Sequence, residues 1–291
     1  MLIDEIRDNE FRPQCAAASL ESGKQPSQWK VQNMDKKCYA KHLGDARNLA
    51  EFLAAIDGKL NGEVCTLYRG QSDSSWPLKP AIARLGRSVS LREETSMLEE
   101  FKRRAIPYLD SPPSDLGDAD WLAIAQHHGM PTRMLDWSGS ALIALWFAIK
   151  QPAKTQTAAA VWILTYEPEN LMRDAERNSP PLAINRTVVI RPRHITRRIT
   201  AQDGWFTLHR NHGGNRESPA FVSLETNRDY KNRLYYVTIP ASAFGEIRVQ
   251  LAKAGVNPSV LFPDLGGVAD FVKWSHQYPQ DELQTRVQPL L

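Results

Sequence analysis

The chain has 291 residues, of which 42% are hydrophobic and 24% charged, with a formal net charge of +3. These values, together with eight tryptophans, exclude a disordered polypeptide and leave a folded protein large enough for one sizeable core. The longest apolar run, Ala141 to Ile149, is far short of the roughly 20 residues that cross a bilayer as a helix.

The three cysteines, Cys15, Cys38 and Cys65, are odd in number and far apart. That spacing suits neither a disulfide framework nor a zinc site, so free thiols and no metal are expected. The opening residues, "MLIDEIRDNEFRP", have no basic segment followed by an apolar run, and a cytoplasmic location is expected.

Residues 1–40 carry sparse hydrophobics without periodicity and are expected to be an extension; 41–278 are expected to form the domain and 279–291 a tail. "DARNLAEFLAAIDG" places Leu49, Phe52, Leu53 and Ile56 on one helical face, with Asp45 as expected cap and Gly58 as expected stop. "EVCTLYRG" reads as a strand entering a glycine turn. "SLREETSMLEEFKRRA" opens with a capping box, Ser90 and Glu93, and carries Leu91, Leu98, Phe101 and Ala105 along a helix. The next helix, "ADWLAIAQHH", ends at Gly129, because Met130-Pro131 forbids its continuation. A polar link follows, and Ser138 or Ser140 caps a helix that runs to Lys150.

Past residue 150 the character changes. "AAVWILTY", "RTVVIRP", "GWFTLH" and "RLYYVTI" are rich in β-branched and aromatic residues and read as strands. Two helices close the chain, one ending on Gly255 and one capped by Asp264. Helices early and strands late predict an α+β fold with a mixed or mostly antiparallel sheet.

From Arg186 to Arg216 there are seven arginines (186, 191, 193, 197, 198, 210 and 216) against one acid, Asp203. Guanidinium forks match phosphate oxygens, so this block is a candidate surface for nucleic acid or for a phage protein. It reads equally well as a solvated basic face.

Four stretches in order, "LYRGQSDSSWPLKPAIAR", "WLAIAQHHGMPTRMLDWSGSALIALWFA", "RRITAQDGWFTLH" and "SVLFPDLGGVADFVKW", resemble the FRG domain family, named for its (Phe/Tyr)-Arg-Gly motif. The resemblance extends over about residues 42–275. It implies a bacterial or phage-borne protein of genome-defence or mobile-element settings, without fixing an activity. A strand ending in Arg-Gly, a polar corner before a helix and a late Gly-aromatic-Phe-Thr strand also resemble the layout of ADP-ribosyltransferases. That looser resemblance implies an ADP-ribosyltransferase-like fold and NAD as substrate, with Arg69 engaging NAD. The glutamate usual on the late strand is missing; Gln202 and Asp203 stand there instead.

The residues themselves support a candidate site. Arg69, with Tyr68, Gly70 and Gln71 beside it, suits a pyrophosphate, because glycine lets backbone amides approach closely; the alternative is a structural pair with Asp136. Thr132, Arg133, Asp136, Trp137 and Ser138 form a polar corner in which Trp137 suits a flat ring. His127 is a candidate base oriented by Asp136, or alternatively a helix cap along with Gln126 and His128. Gln202 suits a ribose or amide, with Phe206 and Thr207 on the same segment, where His209 reads as an exposed strand residue. Transferase, nucleic-acid binder and non-catalytic sensor of a phage component therefore stay open.

Overall fold

A computed structural model describes residues 38–60, 65–85, 87–109, 116–153, 157–177, 181–192, 197–212, 220–283 and 285–286. Among the described residues seven strands form: β1 (Lys41–Asp45), β2 (Cys65–Gln71), β3 (Met134–Ser138), β4 (Ala159–Tyr166), β5 (Val188–Ile190), β6 (Gly204–Leu208) and β7 (Leu234–Ile239). The helices are α1 (Leu49–Leu60), α2 (Leu91–Ala105), α3 (Asp118–His127), α4 (Ala141–Ile149), α5 (Asp174–Arg177), α6 (Arg197–Ala201), α7 (Phe244–Lys253), α8 (Pro258–Leu261) and α9 (Leu265–His276).

The strands form one sheet in the order β1-β7-β4-β2-β3-β6-β5. Only the edge pair β1 and β7 is parallel; every other neighbour is antiparallel. This is the expected α+β class. The alternation of β4 shows how the sheet is covered, because side chains on a strand point to opposite faces in turn. Val161 and Ile163 pack with α1, α4 and α7 around Phe52, Leu145 and Phe244. Ala160, Trp162 and Leu164 pack on the other face, under Leu78 and under Leu224 and Tyr230 of two short 3-10 helices. A third cluster seats α2 and α3 on β3, β5 and β6 through Leu98, Leu122, Met134 and Phe206.

Most of the predicted elements form. The capping box of α2 is present, with Glu93 N–H donating to Ser90 Oγ and Ser90 N–H donating to Glu93 at 2.8 Å. Gly129 and Gly255 end α3 and α7 at φ +97° and +83°, a backbone region that costs glycine little.

Three expectations need correction, and of the two caps expected for α4 one is formed. Asp45 belongs to β1, and α1 is capped instead by Asn48, whose Oδ1 accepts from Glu51 N–H at 2.8 Å while Glu51 accepts from Arg47 N–H. Gly58 does not stop α1, which reaches Leu60. Ser140, not Ser138, caps α4, accepting from Ile143 N–H. The polar link before α4 contains an all-buried strand, β3. The expected extension 1–40 lies almost wholly outside the described residues.

Candidate functional site

The site begins with a gap in the sheet. Strand β2 pairs with β4 over seven residues, and β3 with β6 over five, yet β2 and β3 meet at a single pair, Tyr68 and Ser138. Beyond that pair the two strands part. Backbone groups buried away from water need partners, and the Arg69 guanidinium supplies one, donating to the Asp136 carbonyl at 2.9 Å. The same Nη1 lies 3.6 Å from the Asp136 carboxylate. Both side chains are buried. Arg69 thus bridges the seam between the strands, and the pairing with Asp136 weighed from the sequence is formed.

Asp136 is held from the other side by α3. Gln126 donates its amide N–H to Asp136 Oδ1 at 2.5 Å, and Gln126 Oε1 accepts from the Thr132 hydroxyl, which itself accepts from Met134 N–H. The residue that reaches Asp136 from the last turn of α3 is therefore Gln126 and not a histidine, so the expected orientation of His127 by Asp136 is corrected. His127 instead packs edge-on against His128, and burial pushes its pKa down to about 3, which leaves it neutral and unsuited to be a cationic cap. Arg133 forms a bidentate pair with Glu94 of α2, at 2.7 and 2.5 Å, with neither side chain more than 3% exposed.

Three further groups extend the seam across β6. Trp137 is buried and donates its indole N–H to Thr207 Oγ1 at 3.0 Å, which lies 3.1 Å from His209 Nε2. Ser138 Oγ donates to the Gln202 carbonyl at 2.7 Å and accepts from Ser140 N–H. Gln202, fully buried, donates to the Leu261 carbonyl, while its Oε1 has no hydrogen-bond partner. Phe206 is packed in the core beneath α2 and α3, and Gln71 accepts from the Trp162 indole at 2.6 Å. Tyr68 faces the opposite cluster, against α1 and α4. A cavity lined by Tyr68, Arg69, Gly70, Asp136, Trp137 and Ser138 encloses about 10 Å³, the room of one water at most.

His209 is a correction with a consequence. It is 2% exposed rather than on the surface, and burial, reinforced by the nearby charges of Arg69, His212 and Arg133, pushes it down to about 3. The unfolded chain binds this proton below about 6.5, whereas the folded chain refuses it until about 3. Stability contributed by a neutral His209 is thus complete above pH 6.5 and lost as pH falls toward 3. Urea midpoints measured from pH 7 to pH 4.5 should fall less steeply for His209→Gln than for the unmodified protein, by up to about 1.4 kcal/mol per pH unit. Identical slopes would show that His209 protonates freely in the fold.

The arginine block is largely committed to the protein. Arg186 forms a bidentate pair with Glu176 and donates to the carbonyls of Glu169 and Leu171. Arg198 pairs with Asp264, Arg191 sits over the Trp205 ring at 5.4 Å, and Arg210 donates to the Asn185 carbonyl. Arg193 and Arg216 lie outside the described residues.

Sheet and seam together define a class: an α+β domain whose mixed sheet carries a buried polar seam between two central strands. Residues 65–157 match the FRG domain family, so the chain carries an FRG domain. The match spans β2 to the end of α4 and takes in Arg69, Gln126, Thr132, Arg133, Asp136 and Ser138. No curated protein and no solved structure matches the chain. Among the described residues no helix is long and apolar enough to cross a membrane.

Proposed function

We propose that the chain is a defence- or toxin-type effector that binds NAD at the seam between β2 and β3 and transfers its ADP-ribosyl group. One observation carries this reading. The three strands to which the resemblance assigns nucleotide binding are distant in sequence yet lie side by side as β2, β3 and β6. Arg69 is the phosphate-binding group, since its guanidinium offers a planar fork of donors. Gln202 Oε1, buried without a donor, is the acceptor for an amide or hydroxyl of the ligand.

Asp203 stands where the resemblance leads one to look for the glutamate. It is exposed, adopts φ 44°, and its backbone carbonyl accepts from Gly139 N–H at 2.9 Å. When the bond between ribose and nicotinamide breaks, its electron pair leaves with nicotinamide, and a carboxylate placed at Asp203 stabilises the positive charge left on the ribose. A cavity of about 10 Å³ does not admit a nicotinamide ring, so binding requires β2 and β3 to part and Arg69 to exchange Asp136 for phosphate.

Calorimetric titration with NAD tests this. Saturable binding is expected, weakened at least about tenfold by Arg69→Lys, which loses the bidentate fork while keeping the charge. A folded protein that takes up no NAD contradicts the reading. Nucleic-acid binding is the weaker alternative, because Arg186, Arg198 and Arg210 of the basic block are already engaged by protein groups.

A further inference from the structure

A cavity of about 440 Å³ opens on the face of the sheet away from α4, and it shares no lining residue with the one at the seam. Its size is that of a small-ligand site. Three rings in its lining stand side by side on adjacent strands, because His42 of β1 and Trp162 of β4 are both register partners of Tyr236 of β7. His42 stacks on Tyr236 at 4.8 Å and Tyr236 on Trp162 at 4.9 Å, so each ring is held by its neighbour. The histidine is also fixed in its tautomer. Thr238 donates its hydroxyl to Asp45 and so accepts from His42 Nε2–H at 2.9 Å, which makes Nδ1 the acceptor of the neutral ring.

A second wall is the turn that follows β2. Asp73 Oδ1 accepts from Ser75 N–H and Oγ at 2.8 and 2.6 Å, and Ser74 N–H donates to the Ala158 carbonyl at 2.8 Å. Trp76 stands on this pinned turn, partly exposed, and belongs to none of the three core clusters. A large flat ring that lines a cavity from a fixed turn, outside the core, is a platform for a ligand ring. The charges of the lining then select the ligand. Apart from His42 they are, among the described residues, one carboxylate, Glu225, and one ammonium, Lys79. Glu225 accepts from Leu78 N–H at 3.1 Å; burial raises its pKa, and the charge of Lys79 is among the influences that oppose the rise. A phosphate would meet Glu225 and a cation would meet Lys79, whereas a hydroxyl, being donor and acceptor at once, uses both.

We infer that this cavity binds a neutral carbohydrate of one or two rings. The C–H face of a sugar rests on Trp76, whose ring face carries the negative end of its quadrupole. Sugar hydroxyls donate to Glu225 and to His42 Nδ1 and accept from Lys79. The inference does not rest on NAD binding at the seam.

Calorimetric titration of the full chain with methyl glucoside, methyl galactoside, N-acetylglucosamine, maltose, lactose and cellobiose, and separately with adenosine, tests it. At least one sugar is expected to saturate with Kd below about 1 mM, and adenosine to bind at least about tenfold more weakly than that sugar. Trp76→Ala is expected to weaken the sugar at least about tenfold, and Glu225→Gln about fivefold. Both variants are expected to keep the circular dichroism of the unmodified protein, since Trp76 lies outside the core and glutamine still accepts from Leu78 N–H. Arg69→Lys is expected to leave sugar binding within about twofold, which separates this cavity from the seam. No saturation by any of these sugars, adenosine binding as tightly as the best of them, or sugar binding indifferent to both Trp76→Ala and Glu225→Gln would each overturn the inference.

Discussion

Replacing Glu94 by alanine is expected to destabilise the protein by about 3–5 kcal/mol, because it strands the Arg133 guanidinium in the core. Arg133 is fully buried, and two short bonds tie it to Glu94, 39 residues away on α2. The position also carries the phenyl ring of Phe221, 5.5 Å from the guanidinium, which cannot replace a carboxylate. Since α2 reaches the sheet through Leu98 and this pair, the loss acts on the whole α2–α3 side of the fold. Urea unfolding measures the cost. The double replacement Glu94→Leu with Arg133→Met should recover most of it, since a buried ion pair exchanged for apolar groups is often close to neutral. A single-variant cost below about 1 kcal/mol would mean that water reaches the pair.

The second large effect is expected at Gly70. A Cβ there would lie 2.0 Å from the Ala144 carbonyl oxygen and 2.6 Å from Ala148 N. Both are backbone atoms of α4, and no rotamer change relieves the overlap. Either α4 lifts from β2 or β2 bends away, and in both cases the core formed by Leu145, Phe147 and Ile163 loosens. Gly70→Ala should therefore cost about 3 kcal/mol, at the upper end of overpacking effects, and lower Tm by roughly 6–12 °C. A thermal melt within about 1 °C of the unmodified protein would show that the helix and strand are less tightly apposed. The glycine of the Tyr-Arg-Gly motif is thus required by the close approach of a helix to a strand, with Arg69 beside it turned into the seam.

What could be read in the sequence follows the range of the interactions involved. The capping box at Ser90, the glycine ends of α3 and α7 and the strands of the second half all rest on contacts within a few residues, and each is found. Strand β3 escaped recognition because "MLDWS" is short and is buried on both faces, so it shows no alternation, and its Asp and Ser imitate a loop. Strand β1 escaped because "KHLGD" lies largely exposed at a sheet edge. The pairing of Arg69 with Asp136 is open to the sequence as one alternative, but the Arg133–Glu94 pair is not. Glu94 sits in the first turn of an amphipathic helix, where acids are favoured by the helix dipole, and nothing local marks it as buried.

The candidate site was legible as a set of residues and not as a geometry. Arg69, Asp136, Ser138, Gln202 and Thr207 do converge, because β2, β3 and β6 are neighbours. Their hydrogen bonds to one another and to Gln126 could not be read in advance, and neither could the burial of His209 and Trp137. These depend on strand order, which propensity does not encode.

The central claim is that the seam bridged by Arg69 is a site of NAD cleavage. Its most direct test is nicotinamide release, followed by mass spectrometry, from NAD incubated with the purified protein and with cell lysate to supply an acceptor. Arg69→Lys serves as control, with its fold verified by circular dichroism. Release by the unmodified protein that falls at least about tenfold in Arg69→Lys is the predicted result. No release above the protein-free background, or release indifferent to Arg69, would contradict the account.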